Sequence, residues 1–400
     1  MQFIELIEGQ ERQLPQGELD QDLAMAIYRS GKFEFGFPSP INEFQYTINS
    51  KNLIGHVAIT PECLVRVLPK VPVLNLFRML EVAYNLKSFQ LLPGTTHIER
   101  LDDLFDRLAS ILARRVLDRA RKGLYRDYLN EHDNLAYVRG RIDIERTTRL
   151  LISGSASLNC IYQDHTADLT ENQILLWTLR IISRLGIRRP EVISEVRHAR
   201  RVLTGLVSAR PVTATECLGR FYHRLNQDYQ PMHGICRFFL EHAGPGIKEG
   251  EHELIPFTLD MPKLFETFVA EWLRADGSEE FIVRPQHIAK LEANETLSFQ
   301  IDVVLKDPNS GKTLAVLDTK YKSVETPSEA DIQQVVAYAV EMGTSRAFLV
   351  YPSQYIKPIQ ARVGHVEVRS LAFDLGEDYD EEGKRFLNGL REAIKPVVVE

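Results

Sequence analysis

The chain has 400 residues, 44% apolar and 26% charged, a balance ordinary for a water-soluble protein and enough length for two or three domains. Its formal net charge of −7 argues against a protein that grips DNA unaided, because phosphate contacts favour a basic excess. No apolar run reaches the roughly eighteen residues of a membrane span, no secretory leader opens the chain, and Cys63, Cys160, Cys217 and Cys236 are too scattered for a zinc site or a disulfide framework, so a cytoplasmic protein with reduced thiols is expected.

The first hundred residues read as mainly β, from runs such as Glu43–Ile48, Gly55–Ile59 and Cys63–Leu68 between turn residues. Helices are expected near Leu19–Arg29 and Leu74–Asn85. Apolar residues at helical spacing then extend from Leu101 to Leu129 (Leu104, Leu108, Ile111, Leu112, Val116). Asn130 to about Asp168 reads as loop-rich. Thr170 is a plausible N-cap with Gln173 completing a capping box, opening a helix to Leu185. Further helical patterns cover Glu191–Leu206 and Cys217–Leu225. The last third has an α/β rhythm: an amphipathic helix Pro262–Leu273, a short strand Phe281–Arg284, a strand pair Phe299–Leu305 and Thr313–Tyr321 joined by Asp307-Pro-Asn-Ser-Gly311, a helix from Ser328 to Met342 stopped at Gly343, and a buried strand Arg346–Tyr351. Strand–helix–strand of this length predicts a right-handed parallel crossover. The acidic Asp374–Glu382 run reads as solvated surface.

The chemistry concentrates in the strand pair. Asp302 lies among apolar residues of the first strand, on the face of Gln300 and Val304. Asp318 and Lys320, two apart, share a face of the next. Neighbouring carboxylates raise one another's pKa unless a cation separates them. A magnesium ion fits, since it takes a few carboxylate oxygens plus water and phosphate, and it would activate water against a phosphodiester. Lys320 is placed to orient that water or hold a phosphate. Gln334 and Tyr338, four apart on the following helix, can reach the phosphate or support the lysine, and Glu266 on the preceding helix can supply a third oxygen. The bland alternatives are a solvated Glu266 and a Tyr338 that only packs.

This order of residues resembles the PD-(D/E)xK nuclease superfamily, and within it the McrC family, the nuclease subunits of McrBC-type restriction systems. The carrying residues are Leu264-Phe-Glu266, Gln300-Ile-Asp302, Asp318-Thr-Lys-Tyr321 and Gln334-Val-Val-Ala-Tyr338. Upstream, Val65–Lys70, Val138-Arg-Gly-Arg-Ile-Asp143 and Asn159–Tyr162 through Asn172–Leu175 add to the likeness. One departure is Ile301, where the family has proline before the first aspartate.

The resemblance implies an α/β (α+β overall) fold. A nuclease domain over 251–400, with a mixed central sheet flanked by helices, would follow a helical lead-in over 156–250 and a mainly β partner-binding domain over 1–155. It implies a Mg²⁺-dependent DNA endonuclease, with Mn²⁺ able to substitute and with Asp302, Asp318 and Glu266 as metal ligands. It also implies a McrB-like AAA+ GTPase hexamer that brings modified double-stranded DNA and whose GTP hydrolysis this chain stimulates. The chain itself has no Walker A pattern and is expected to bind no nucleotide. Arg139 and Arg141, flanking Gly140, are candidate partner contacts, the plain alternative being a turn with solvated arginines. The basic stretch Arg114, Arg115, Arg119, Arg121, Lys122 and Arg126 can track DNA backbone or the partner, but with Asp118 and Asp127 beside it reads first as a solvated helix face. Two other readings stand beside the nuclease subunit: a non-catalytic activator of an AAA+ ring, and a free-standing repair nuclease of the same superfamily.

Overall fold

The computed structural model describes residues 2–60, 62–86, 101–185, 187, 189–244, 247–249, 252–254, 257–277, 280–290, 298–322, 326–352, 358–375 and 379–394. The chain forms two compact units, one made of 1–104 with 244–400 and the other of 105–243. These boundaries cut differently from the three consecutive segments read in the sequence.

The chain opens with β1 (Gln2–Ile7), β2 (Glu11–Leu14), α1 (Gln21–Ser30), β3 (Glu34–Gly36), β4 (Tyr46–Asn49), β5 (Leu53–Thr60), β6 (Cys63–Leu68) and α2 (Val73–Ala83). Asp20 caps α1 by accepting from the Leu23 amide at 2.7 Å, the side-chain cap a helix start needs. Next come α3 (Leu101–Lys122), β7 (Asp127–Leu135), β8 (Arg141–Ile142), α4 (Ile144–Ile152), β9 (Leu158–Thr166), α5 (Thr170–Ile182), α6 (Pro190–Thr204) and α7 (Tyr229–His242). The chain then returns through β10 (Ile247–Glu249), β11 (His252–Leu254), β12 (Phe257–Asp260), α8 (Met261–Asp276), β13 (Ile282–Lys290), β14 (Ser298–Lys306), β15 (Thr313–Thr319), α9 (Glu329–Glu341), β16 (Arg346–Tyr351), β17 (Gln360–Val363), β18 (Val366–Ala372) and α10 (Tyr379–Ile394). This is a mixed α/β fold. Among the described residues no helix is long and apolar enough to cross a membrane, and all four cysteines are buried and unbridged.

Two sheets organise the first unit. One has the order β1-β6-β5-β12. Its last strand arrives from two hundred residues downstream and pairs antiparallel with β5, which is why the amino-terminal segment and the carboxy-terminal third make one body. Helix α2 packs on α8 beside it. The close seam depends on Gly55. Its φ is +113°, and a Cβ there would strike the Phe257 carbonyl oxygen. Gly55→Ala is therefore expected to cost at least about 2 kcal/mol, seen as a lower unfolding midpoint. A variant as stable as the parent would show that β12 does not need that approach.

The second sheet has the order β13-β14-β15-β16-β18-β17. Strands β15, β16 and β18 run parallel, and the others pair antiparallel. Strand β16 is buried over all but its first residue and β15 over the four residues Ala315–Asp318, as inner strands require. Helix α9 makes the crossover between them. It starts with a reciprocal cap of Ser328 and Asp331, at the expected place, and stops at Gly343, whose φ is +64°. A core under α9 gathers Ile301, Val304, Val316, Val335, Leu349 and Val368, among others. Ile301 and Val304 both join it, so strict alternation does not hold along β14.

The second unit departs most from its sequence reading. The helix from Leu101 ends at Lys122, and Asp127 already opens a strand. The passage taken as loop-rich holds the sheet β7-β9-β8 and α4. Strand β7 (DYLNEHDNL) is exposed along nearly all its length, so it carries no apolar alternation, and pairing with β9 decides its state. Thr170 is the first helical residue of α5, not its cap. Leu169 holds that place without a side-chain bond, and Gln173 donates instead to Asp168 at 2.7 Å. Around Cys217 only a short 3-10 turn, Ala214–Cys217, is present. The helix that follows is α7, where Pro231 in the first turn and Gly234 interrupt the apolar pattern. The basic face of α3 is partly neutralised: Arg114 lies 2.8 Å from Glu195, Arg119 3.4 Å from Asp228 and Arg121 3.2 Å from Asp118.

Candidate functional site

A cleft of about 520 Å³ opens where α8, β13, β14, β15 and α9 meet. It is lined by Glu266, Gln286, Asp302, Asp318, Lys320 and Gln334, among others. Each side chain arrives for a local reason. Asp260 ends β12 and caps α8 by accepting from the Lys263 amide at 3.1 Å, which sets Glu266 on the helical turn facing the cleft. Asp302 sits in β14, and its Oδ2 accepts from both the amide and the hydroxyl of Thr319 at 2.7 Å each. Asp318 is the penultimate residue of β15 and only 2% exposed. Lys320 lies one residue past that strand, its amide donating to the Val350 carbonyl at 2.7 Å.

The lysine is fixed from several sides. Its Nζ is 2.8 Å from Asp318 Oδ2 and 3.6 Å from Asp331 Oδ1, and it donates to Gln334 Oε1 at 2.9 Å. Burial disfavours the ammonium, but these carboxylates outweigh burial and hold its pKa above the ordinary lysine value. Asp331 bonds to Lys322 and Ser328. Burial pushes that carboxyl up, yet these bonds prevail and hold it low. It is thus a fixed anion behind the lysine.

The three cleft carboxylates behave in the opposite way. Burial, then the Asp302 charge, raise Asp318 to about 6 despite Lys320. The same two causes, in the same order, raise Glu266 to about 7. Burial also raises Asp302, against the bonds from Thr319. Carboxylates crowded this way are short of positive charge.

Among the described residues no three His, Cys, Asp or Glu side chains converge as a ready-made metal cage. The oxygen donors that could hold a hard divalent cation in this cleft are Asp302 and Asp318, with Glu266 on the same lining. Asp318 Oδ2 is buried without a hydrogen-bond partner, its close contact being the ion pair to Lys320. All are oxygen donors, and water and phosphate can complete the shell that magnesium prefers.

Tyr338 does not line the cleft. It is 6% exposed and packs against Phe299, and its hydroxyl accepts from Gln334 Nε2 at 2.6 Å. The tyrosine therefore orients the glutamine that orients the lysine. Tyr338→Phe is expected to lower activity several-fold and Gln334→Ala further, since each link lost from a positioned network costs about 1 kcal/mol or more. Equal losses from the two would show that the relay does not run in that order.

Sequence reasoning missed two participants. Thr319 holds Asp302, and only its place inside Asp318-Thr-Lys320 hinted at it. Gln286 falls between the Pro285–Val303 and His287–Ile301 pairs of the β13–β14 ladder, has a φ of +46° and bonds to Glu266. A non-glycine residue with positive φ is a form of strain that clusters at functional sites, and no sequence pattern announces it.

The model of the McrBC 5-methylcytosine restriction system component family matches residues 48–352, which includes Glu266, both aspartates, Lys320, Gln334 and Tyr338. The chain belongs to the McrBC family. It is 22% identical over 268 residues, 63% of this chain and 74% of the relative, to the type IV methyl-directed restriction enzyme EcoKMcrBC of Escherichia coli K12. In a half-complex of Thermococcus gammatolerans McrB AAA+ hexamers with bound McrC, a chain 18% identical aligns over 97% of this chain and 100% of its own length, with a TM-score of 0.53. The cryo-EM McrBC complex of the same organism aligns over 68% of this chain and 87% of that one at 18% identity, with a TM-score of 0.42.

Arg139 and Arg141 of this McrBC chain lie in the second unit, at the turn between β7 and β8. Gly140 between them has a φ of +70°, and a Cβ there would meet the Ile161 carbonyl. Arg139 is engaged: its guanidinium stacks 3.8 Å over the Tyr162 ring and lies 2.6 Å from Asp164. Arg141 is exposed.

Proposed function

We propose that this chain is the DNA-cleaving subunit of a McrBC-type restriction complex, a PD-(D/E)xK endonuclease that works in the cytoplasm with magnesium. The observation that carries the reading is the convergence of Asp302, Asp318 and a restrained Lys320 in one cleft with Glu266 and Gln334. Asp302 and Asp318, with Glu266 beside them, would hold the magnesium ion, which supplies a polarised phosphate and an activated water. Thr319 fixes one oxygen of Asp302, which lines the cleft. Lys320, held by Asp318 and Gln334, presents a fixed positive charge to the phosphate as negative charge develops. Manganese can replace magnesium.

We further propose that the partner is a McrB-like AAA+ GTPase hexamer that delivers modified double-stranded DNA, consistent with the net charge of −7. The second unit offers a docking face around Arg139 and Arg141. Tyr137, Val138 and Ile144 there are 63%, 58% and 77% exposed.

The test is reconstitution. Wild-type chain, the partner, GTP, magnesium and methylated DNA are expected to give cleavage that stops on chelation, and to raise GTP hydrolysis. Stimulated hydrolysis without any cleavage would favour a non-catalytic activator. Cleavage by the isolated chain on branched DNA would favour a free-standing nuclease.

A further inference from the structure

Lys70, the last residue of the Val65–Lys70 element, has no part in the chemistry above, yet it reaches the segment that carries Lys320. It follows β6, and Glu8 follows β1, which pairs parallel with β6. Glu8 is 1% exposed. Its Oε2 accepts from the Lys70 amide at 3.2 Å, and its Oε1 lies 3.9 Å from Lys70 Nζ. That ammonium sits 4.5 Å from the centre of the Tyr321 ring. Tyr321 is the residue after Lys320, 4% exposed, and its ring centre is 6.0 Å from that of Phe265, the neighbour of Glu266. The ring is thus wedged between the backbones that carry two cleft residues, with the amino-terminal sheet behind it. The Tyr321 hydroxyl and the Glu8 carboxylate, both buried, interact directly, and Lys70 is the cation that faces both the carboxylate and the ring.

We propose that Glu8 and Lys70 clamp Tyr321 and thereby set the position of the Lys320 ammonium, which makes them positioning residues for cleavage. This rests on the nuclease reading above. Lys320 has already left β15, so the ladder holds it only through its amide. The ring one residue on, pinned on the opposite side, fixes the peptide from which the lysine side chain projects. A partly desolvated cation over an aromatic face is a directional contact, and it ties the amino-terminal sheet to the DxK motif.

The experiment uses the assembled complex with Lys70→Met, Glu8→Gln and Lys70→Arg. Cleavage kcat and KM are read beside partner GTP hydrolysis, and hydrogen–deuterium exchange is read in the peptide holding residues 320–322. Lys70→Met and Glu8→Gln are expected to lower kcat about ten-fold or more, since a misplacement of about 1 Å can cost about a hundred-fold. KM for DNA and GTP hydrolysis stay unchanged and exchange at 320–322 quickens. Lys70→Arg, which keeps a stacking cation, recovers most of the rate. Unaltered exchange in Lys70→Met overturns the clamp whatever the rate does. Faster exchange with an unaltered kcat overturns its role in positioning, as does a loss of kcat that GTP hydrolysis follows in parallel. A wild-type complex that never cuts DNA rejects the nuclease reading and the positioning role with it, and exchange then judges the mechanical link alone.

Discussion

Replacing Lys320 by Met in the assembled complex is expected to lower DNA cleavage by roughly a hundred- to a thousand-fold, the loss typical when one preorganised charge is removed from a transition state, while GTP hydrolysis by the partner is retained. The size follows from how the ammonium is held. It lies 2.8 Å from Asp318, donates to Gln334 at 2.9 Å and is 3.6 Å from Asp331, so it needs no reorganisation to meet a phosphate. Methionine keeps the length of the stem and removes the charge. Lys320→Arg is not expected to rescue, because a planar fork does not replace a compact charge in this pocket. Single-turnover cleavage beside a phosphate-release assay separates the two activities. Cleavage within a few-fold of the parent would remove Lys320 from the chemistry.

The second large effect is on stability and its pH dependence. Asp318 titrates at about 6 in the folded chain, above the ordinary aspartate range that applies when it is unfolded. The folded state therefore binds more protons than the unfolded state between about pH 4 and pH 6. Its stability is greatest below that window, falls as pH rises through it and stays reduced above. A shift of this size is worth on the order of 2–3 kcal/mol. Asp318→Asn imitates the protonated group, so in the absence of divalent ions it should melt higher than the parent at pH 8, and the difference should vanish near pH 4. Magnesium or manganese should raise the melting temperature of the parent at pH 8, because a ligand that binds only the folded state stabilises it, and should leave the variant unmoved. Differential scanning fluorimetry at the two pH values reads all of this. A variant that melts lower at pH 8, or one that gains as much from the ion as the parent, would contradict the picture of two crowded carboxylates awaiting a cation.

Much of the last third was legible because its signals are local. The Ser328–Asp331 cap, Gly343 and the apolar run Arg346–Tyr351 each specify their own element, and Asp302, Asp318, Lys320, Gln334 and Glu266 do line one cleft. Tyr338 stands behind Gln334 rather than in the cleft, a difference set by side-chain geometry that the four-residue spacing does not carry. What stayed hidden depends on contacts far apart in sequence. Phe257–Asp260 is an unremarkable run until it completes the sheet begun by β1, β5 and β6. Asp127–Leu135 is too polar to show a strand period. Gln286 is marked by a backbone angle, and the Glu8–Lys70–Tyr321 group joins residues more than three hundred positions apart.

The central claim is that Asp302 and Asp318 share a divalent cation beside Lys320. Its most direct test is the anomalous difference map of crystals soaked in manganese. A peak between the two carboxylates, with the ammonium of Lys320 alongside, is the predicted result. A well-ordered cleft with these three side chains turned apart and no peak among them would contradict it.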